Sequence, residues 1–226
     1  VADGMGGHEA GEVASAIAIE SIARKIRQGK DITEAIQNAH HNILNGTLKG
    51  RGAKGMGSTV VAVHSTITHY RIAWVGDSRA YLWTRTGECN GTLEQLTTDH
   101  SYVQMLVKAG AITPEEAINH RDKNVITQCL GSLEMPDVTV DTVERDWQPG
   151  QWLLLCSDGL TDELEDGQIS AVLANSANIE IAAESLLREA LASGGRDNTT
   201  IAIITQQPPA QGTGSLWDSM VGWIRR

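Results

Sequence analysis

Between Gln151 and Ser157 the chain reads Trp-Leu-Leu-Leu-Cys, with no polar side chain. A strand with one wet face alternates polar and apolar residues, whereas a strand covered on both faces is an unbroken apolar run. Residues 151–157 are therefore predicted to form a strand packed on both sides, and the rest of the fold must supply the two covers. Asp158-Gly159 follows at once, which puts a carboxylate at the end of a buried strand.

The flanking pattern suggests where the covers come from. Ala14, Ile17, Ala18, Ile22 and Ile26 share one helical face, predicting a helix from about Glu9 to Gln28. Gly29-Lys30 ends it, and Asp31 caps a second helix that runs to about Leu48. Gly50, Gly52, Gly55 and Gly57 mark a loop. β-Branched stretches predict strands at Ser58–His64, His69–Val75 and Ala80–Thr84, the last two flanking a tight turn at Gly76-Asp77-Ser78-Arg79. Gly87–Gly91 reads as a hairpin loop. Asp99–Gly131 opens with a helical pattern (Val103, Leu106, Val107), turns at Thr113-Pro114 and becomes polar, as an insertion that carries specificity would. Two helices, about Asp166–Ala174 and Ile179–Ser193, precede a last strand at Asn198–Thr205.

Helices, then mostly hairpin-connected strands, then helices and a strand argue for an α+β layered domain with antiparallel sheets. Residues 1–206 are assigned to it. Residues 207–226 are read as a linker and a short amphipathic helix with Trp217, Met220, Val221 and Ile224 on one face.

Bulk properties exclude several classes. A chain of 226 residues with 41% hydrophobic side chains suits one globular domain. The net charge of -10 argues against nucleic-acid binding, and no apolar run approaches the roughly 20 residues that span a bilayer. Cys89, Cys129 and Cys156 are odd in number and far apart, so neither a disulfide framework nor a zinc site is expected, and a reducing, cytoplasmic setting is. Val1-Ala2-Asp3 reads as the end of a strand already in progress, so an N-terminally incomplete domain is expected.

Four aspartates carry the chemistry. Asp3 precedes Gly4, Asp158 precedes Gly159, Asp197 precedes the last strand, and Asp77 lies in the turn after Gly76. A carboxylate at a strand end is rigidly placed yet faces solvent, and a neighbouring glycine lets a ligand approach the backbone. Oxygen ligands without a Cys/His cluster favour Mg²⁺, Mn²⁺ or Ca²⁺. Each aspartate taken singly also suits an ordinary turn or helix cap. The residues by themselves leave both readings open.

The motifs taken together narrow this. Val1-Ala-Asp-Gly-Met-Gly-Gly-His8, Gly57-Ser-Thr59, Val75-Gly-Asp-Ser-Arg79, Leu96-Thr-Thr-Asp-His-Ser101, Cys156-Ser-Asp-Gly-Leu160 and Gly194-Gly-Arg-Asp-Asn198 occur in that order. The set resembles the bacterial branch of the protein phosphatase 2C family, without that family's N-terminal strand region and the phosphate-gripping arginine it carries. The resemblance implies a four-layer αββα sandwich, two antiparallel sheets flanked by helices. It implies a metal-dependent serine/threonine phosphatase in which a metal-bridging water attacks the phosphomonoester with no phosphoenzyme. Two, and in bacterial members three, Mg²⁺ or Mn²⁺ ions are implied. Asp3 would bridge two, the Gly4 carbonyl would bind one, Asp158 and Asp197 would hold the other, and Asp77 with Asp158 would form the third site. His8 becomes the candidate general acid, and Asn124 a flap residue near substrate. Expected partners are phosphorylated proteins and an opposing serine/threonine kinase, with the phosphatase itself a monomer. A module that keeps the fold without turnover is the competing reading, because the phosphate-gripping arginine is missing and Arg79 and Arg196 read as structural.

Overall fold

The computed structural model describes residues 1–87, 90–206 and 224–225, without the side chains of His8, Glu9, Ile224 and Arg225. A two-residue strand, β1 (Gly4–Met5), leads into helices α1 (His8–Arg27) and α2 (Ile32–Leu48). Strands β2 (Gly57–Ser58), β3 (Val60–Ser65), β4 (His69–Val75), β5 (Arg79–Arg85) and β6 (Gly91–Gln95) follow. Then come helices α3 (Tyr102–Lys108) and α4 (Pro114–Ile118), strands β7 (Asp141–Asp146) and β8 (Gln151–Cys156), and helices α5 (Asp158–Thr161), α6 (Asp166–Asn175) and α7 (Ile179–Ser193). Strands β9 (Thr200–Thr205) and β10 (Ile224–Arg225) complete the order.

The strands form one sheet in the order β3-β4-β7, a second in the order β10-β9-β8-β5-β6, and a β1-β2 ribbon, all antiparallel. Side-chain alternation along the strands explains the layering. On β4, Ala73 and Val75 pack into a core with Ala14, Ile17, Ile36 and Ile43 of α1 and α2, while Tyr70, Ile72 and Trp74 face the other sheet. On β8, Leu153 and Leu155 meet them from that sheet, while Leu154 and Cys156 pack against Ile169, Leu173, Ala183 and Leu186 of α6 and α7. The apolar run at 151–157 is thus covered on both faces, and the fold is the expected four-layer αββα sandwich.

Local chemistry explains the ends of elements. The Asp31 side chain accepts from the Thr33 amide and caps α2 as expected. The inserted segment contains a second short helix where the sequence suggests only a turn. Thr113 and Glu116 cap α4 reciprocally, and Pro114 opens it. Buried His40 on α2 ties down the segment's return: its Nδ1 accepts from the Gly131 amide at 3.1 Å and its Nε2 faces the Met135 carbonyl at 3.2 Å.

The structure adds two features and changes one expectation. The Gly76–Arg79 turn does not join paired strands: Val75 pairs with Val60 in one sheet and Arg79 with Cys156 in the other, so the turn crosses between sheets. Strand β7, reading Asp-Thr-Val-Glu-Arg-Asp, is an edge strand that the polar sequence hides. At the far end, Ile224–Arg225 pair with Ile201 and Thr200 on the outer edge of β9, not in a helix. A sheet edge offers unpaired amide and carbonyl groups that an extended segment in reach will satisfy. Residues 207–223, with Trp217, Met220 and Val221 of the expected helix, lie outside the described residues, as does Cys89.

Leu153 and Leu154 point to opposite cores and are both fully buried. Leu153→Ala and Leu154→Ala are each expected to lower stability by about 2–5 kcal/mol in urea unfolding. A near-neutral result for either would show that one face of β8 lacks cover.

Candidate metal centre

The four aspartates sit at one end of the sandwich, each on a turn fixed by backbone contacts. Asp3 immediately precedes β1. Its amide donates to Thr59 Oγ1 at 3.1 Å, and its carbonyl accepts from the Thr59 amide at 2.8 Å and from Ser58 Oγ at 3.0 Å. Gly4 and Gly11 allow α1 to lie against this strand. A Cβ on Gly4 would fall 1.9 Å from the Gly11 carbonyl oxygen, and one on Gly11 would fall 2.5 Å from that of Gly4. Thr59 also reaches the second loop, since its Oγ1 lies 2.7 Å from Ser78 Oγ, beside Asp77. His100 holds the other side of that loop: its Nδ1 accepts from the Gly76 amide at 3.1 Å and its own amide donates to the Gly76 carbonyl at 2.9 Å.

Asp158 opens α5 where β8 ends, and Asp197 lies just before β9. Ser157 joins the two, with Oγ donating to the Asn198 carbonyl at 3.2 Å and accepting from the Thr200 amide at 3.0 Å. Gly159 makes the junction possible, because a Cβ there would lie 2.4 Å from the Asn198 carbonyl oxygen. The glycines beside Asp3 and Asp158 thus serve backbone-to-backbone contact. The sequence reading gave them the roles of admitting a ligand and, at Gly4, of offering a carbonyl oxygen, and not this contact.

Asp3, Gly4, Asp77, Asp158 and Asp197 line a single cleft of about 880 Å³. Its charged lining among the described residues is Asp3, Glu12, Asp77, Asp158 and Asp197, with no lysine or arginine. Burial, then the charge of Asp158, pushes the Asp77 carboxyl up to about 7. Burial and the adjacent Asp158 carboxylate, which lies within hydrogen-bonding reach, push the Asp3 carboxyl well above the carboxylate range. Burial likewise raises Asp158, aided by Asp162 and Asp197. Two carboxylates this close cannot both ionise without a shared proton or a cation.

The residues fit divalent ions. Asp158 Oδ1 is buried without a hydrogen-bond partner, and the donor set is hard oxygen. Among the described residues no three His, Cys, Asp or Glu side chains close on one point. Mg²⁺-like ions keep several waters and take only one or two carboxylates, which this lining supplies.

The remaining candidates divide. The His8 side chain lies outside the described residues. Asn124 lines the cleft, with its amide nitrogen donating to Asp162 at 2.9 Å. Arg79 makes a bidentate pair with Asp99 and Arg196 one with Glu163; neither lines the cleft. The sequence reading missed the positioning roles of Thr59, Gly11 and His100, which sit in or just beyond quoted motifs, a signal that marks them without giving a task.

An αββα sandwich with crowded carboxylates at the strand ends is suited to hold divalent metal ions. Comparison with known proteins agrees. The family description "Protein phosphatase 2C" matches residues 1–193. The serine/threonine phosphatase stp of Listeria welshimeri serovar 6b is 36% identical over 214 residues, 90% of this chain and 82% of the relative. The crystal structure of the Mycobacterium tuberculosis serine/threonine phosphatase PstP/Ppp is similar with a TM-score of 0.79 and 35% identity, covering 89% of this chain and 84% of that one. The catalytic domain of PstP in complex with 2 manganese ions gives a TM-score of 0.74 and 34% identity over 89% and 84% of the two chains. The chain belongs to the protein phosphatase 2C family.

The raised carboxyl groups set a pH dependence. A carboxyl whose folded pKa exceeds its unfolded value contributes stability that is full below about pH 4 and is lost as pH rises through the folded value. In EDTA the thermal midpoint is therefore expected to fall between pH 5 and pH 8, by roughly 5 °C. Mn²⁺ should reverse the fall. A midpoint that rises with pH in EDTA would contradict the crowding of these carboxylates.

Proposed function

We propose that this chain hydrolyses phosphoserine and phosphothreonine in proteins, using divalent ions held by the aspartate cleft. The acidity of the cleft supports this reading most directly. A phosphoryl dianion is repelled by five carboxylates and enters only where cations outweigh them. Asp3, the Gly4 carbonyl, Asp158 and Asp197 would hold these ions, and Asp77 with Asp158 would hold a further, weaker one. The chemistry such ions supply is an acidified water as nucleophile and neutralisation of the phosphate oxygens. Uncatalysed phosphomonoester hydrolysis is among the slowest known reactions, with enzymic accelerations on the order of 10²¹, so a lone general base is not enough.

The reaction balances simply. A water oxygen bonds to phosphorus and releases a proton to solvent, the bond from phosphorus to the serine or threonine oxygen breaks, and the departing alkoxide takes a proton. His8, the first residue of α1, is the proposed donor of that proton. Its sequence position carries this assignment, with an unperturbed pKa near 6.5 suited to the task. The substrates are phosphorylated proteins, and the class of partner that supplies them is a serine/threonine kinase. No helix among the described residues is long and apolar enough to cross a membrane. A monomer in the cytoplasm is the proposed setting.

Phosphate release from a phosphothreonine peptide, with Mn²⁺, Mg²⁺ or EDTA, tests the reading. Turnover should require the ion and fall more than about a hundredfold in Asp158→Ala, since even residues that only orient metal ligands are worth 10–100-fold. Undiminished turnover in EDTA or in the variant would refute it. His8→Ala should slow alkyl phosphates by about 10²–10⁴ while sparing p-nitrophenyl phosphate, whose leaving group departs without protonation. Equal losses on both esters would remove His8 as the acid.

A further inference from the structure

The two oxygens of the Asp162 carboxylate are divided between two neighbours in the inserted segment. Oδ1 accepts from Lys123 Nζ and Oδ2 from Asn124 Nδ2, each at 2.9 Å. The main chain of Asp162 is fixed from the opposite side. Its amide donates to the Asp158 carbonyl at 2.7 Å, and its carbonyl accepts from Arg196 Nη2 at 3.2 Å. Arg196 is in turn clamped by Glu163, through Nε at 2.9 Å and its backbone amide at 3.1 Å. One residue therefore joins the turn of Asp158, the loop of Asp197 and the tip of the segment whose Asn124 and Ile126 line the cleft.

The base of that segment is held separately. Ser101 bridges to Ile126, the Tyr102 amide donates to the Val125 carbonyl and the Thr127 amide to the His100 carbonyl. Among the described residues, the side-chain attachment of 123–124 to the Asp158 turn runs through Asp162. A single exposed ion pair is weak because ordering two long side chains offsets its attraction. Here the acceptor is already ordered by its backbone bonds, and a second donor shares it, so less entropy remains to be lost.

We propose that Asp162 is a positioning residue: its carboxylate latches residues 120–126 to the turn that carries Asp158. The latch fixes the wall of the cleft formed by Asn124 and Ile126, and so governs how a phosphopeptide, more than a small aryl phosphate, is held. The kinetic part of this rests on the phosphatase reading; the structural part does not.

Amide hydrogen exchange of residues 120–126, followed in EDTA on the full chain, reads the latch without catalysis. Asp162→Ala should speed exchange there by about three- to tenfold, with the rest of the chain unchanged. The charge-swapped pair Asp162→Lys with Lys123→Asp should restore part of the protection. High salt should bring the wild type toward the variant, because the pair is partly exposed. In the loaded enzyme, Asp162→Ala should raise KM for a phosphothreonine peptide by a similar factor, with a smaller change for p-nitrophenyl phosphate. Unchanged exchange at 120–126, or equal KM shifts on the two substrates, would overturn the proposal. If the wild type hydrolysed neither ester while Asp162→Ala still freed the segment, the phosphatase reading would fall and the latch would stand.

Discussion

Repulsion among carboxylates at one end of the sandwich is the force that the surrounding structure must balance. Asp3, Asp77 and Asp158 are drawn partly out of water and toward each other, which raises the pKa of all three. An assembly of this kind persists only if the loops that carry the charges cannot relax apart. The restraint is covalently cheap and sterically strict: Gly4 against Gly11, and Gly159 against the Asn198 carbonyl, are contacts that no side chain would allow. Thr59 then couples the Asp3 turn to the Asp77 turn through a buried hydroxyl. Folding energy from three apolar cores is spent on holding like charges together, and a bound cation turns that cost into affinity.

The position of this cluster follows from the sandwich. Strand β8 delivers Asp158 at the end of a run buried on both faces, and β9 begins just after Asp197 on the neighbouring strand. The crossing from β4 to β5 places Asp77 at the point where the chain leaves one sheet for the other. Asp3 reaches the same end through the β1–β2 ribbon. The carboxylates thus come from both sheets, and their relative placement depends on the packing of Tyr70, Ile72 and Trp74 against Leu153 and Leu155 between them. A shift of one sheet over the other would alter the site before it exposed much apolar surface.

Much of this was legible in the residues. Apolar periodicity located α1, α2, α6 and α7 to within a residue or two, and the unbroken run at 151–157 foretold its double cover. The motif order led to the family. Pattern encodes burial well and partner choice poorly, and the misses follow from that. Gly76–Arg79 is turn chemistry whether the next strand pairs back or crosses to another sheet. Strand β7 shows little alternation because Val143 is its only residue packed against a core, with Thr142, Glu144, Arg145 and Asp146 exposed. Ile224 looks helical by spacing, yet a sheet edge captures it. At the site, Asp3 and Asp158 were visible as Asp-Gly pairs, Asp77 by its turn and Asp197 by its place before the last strand. The residues that position them were not, because a buried threonine, a helix glycine and a half-buried aspartate have no distinctive spacing.

Asp162 shows why such a residue escapes a reading by motif. Its carboxylate is itself one of the charges that raise Asp158, so it adds to the repulsion in the cleft while its two acceptor contacts hold the cleft's wall. The Lys123 ammonium offsets part of that negative charge from outside the basin. An alanine at position 162 would relieve Asp158 but leave Lys123 and Asn124 with no fixed side-chain acceptor on the α5 turn. The acidic choice makes sense only when the turn, the inserted segment and the basin are considered at once. That three-way arrangement exists in the folded chain and has no counterpart in local sequence.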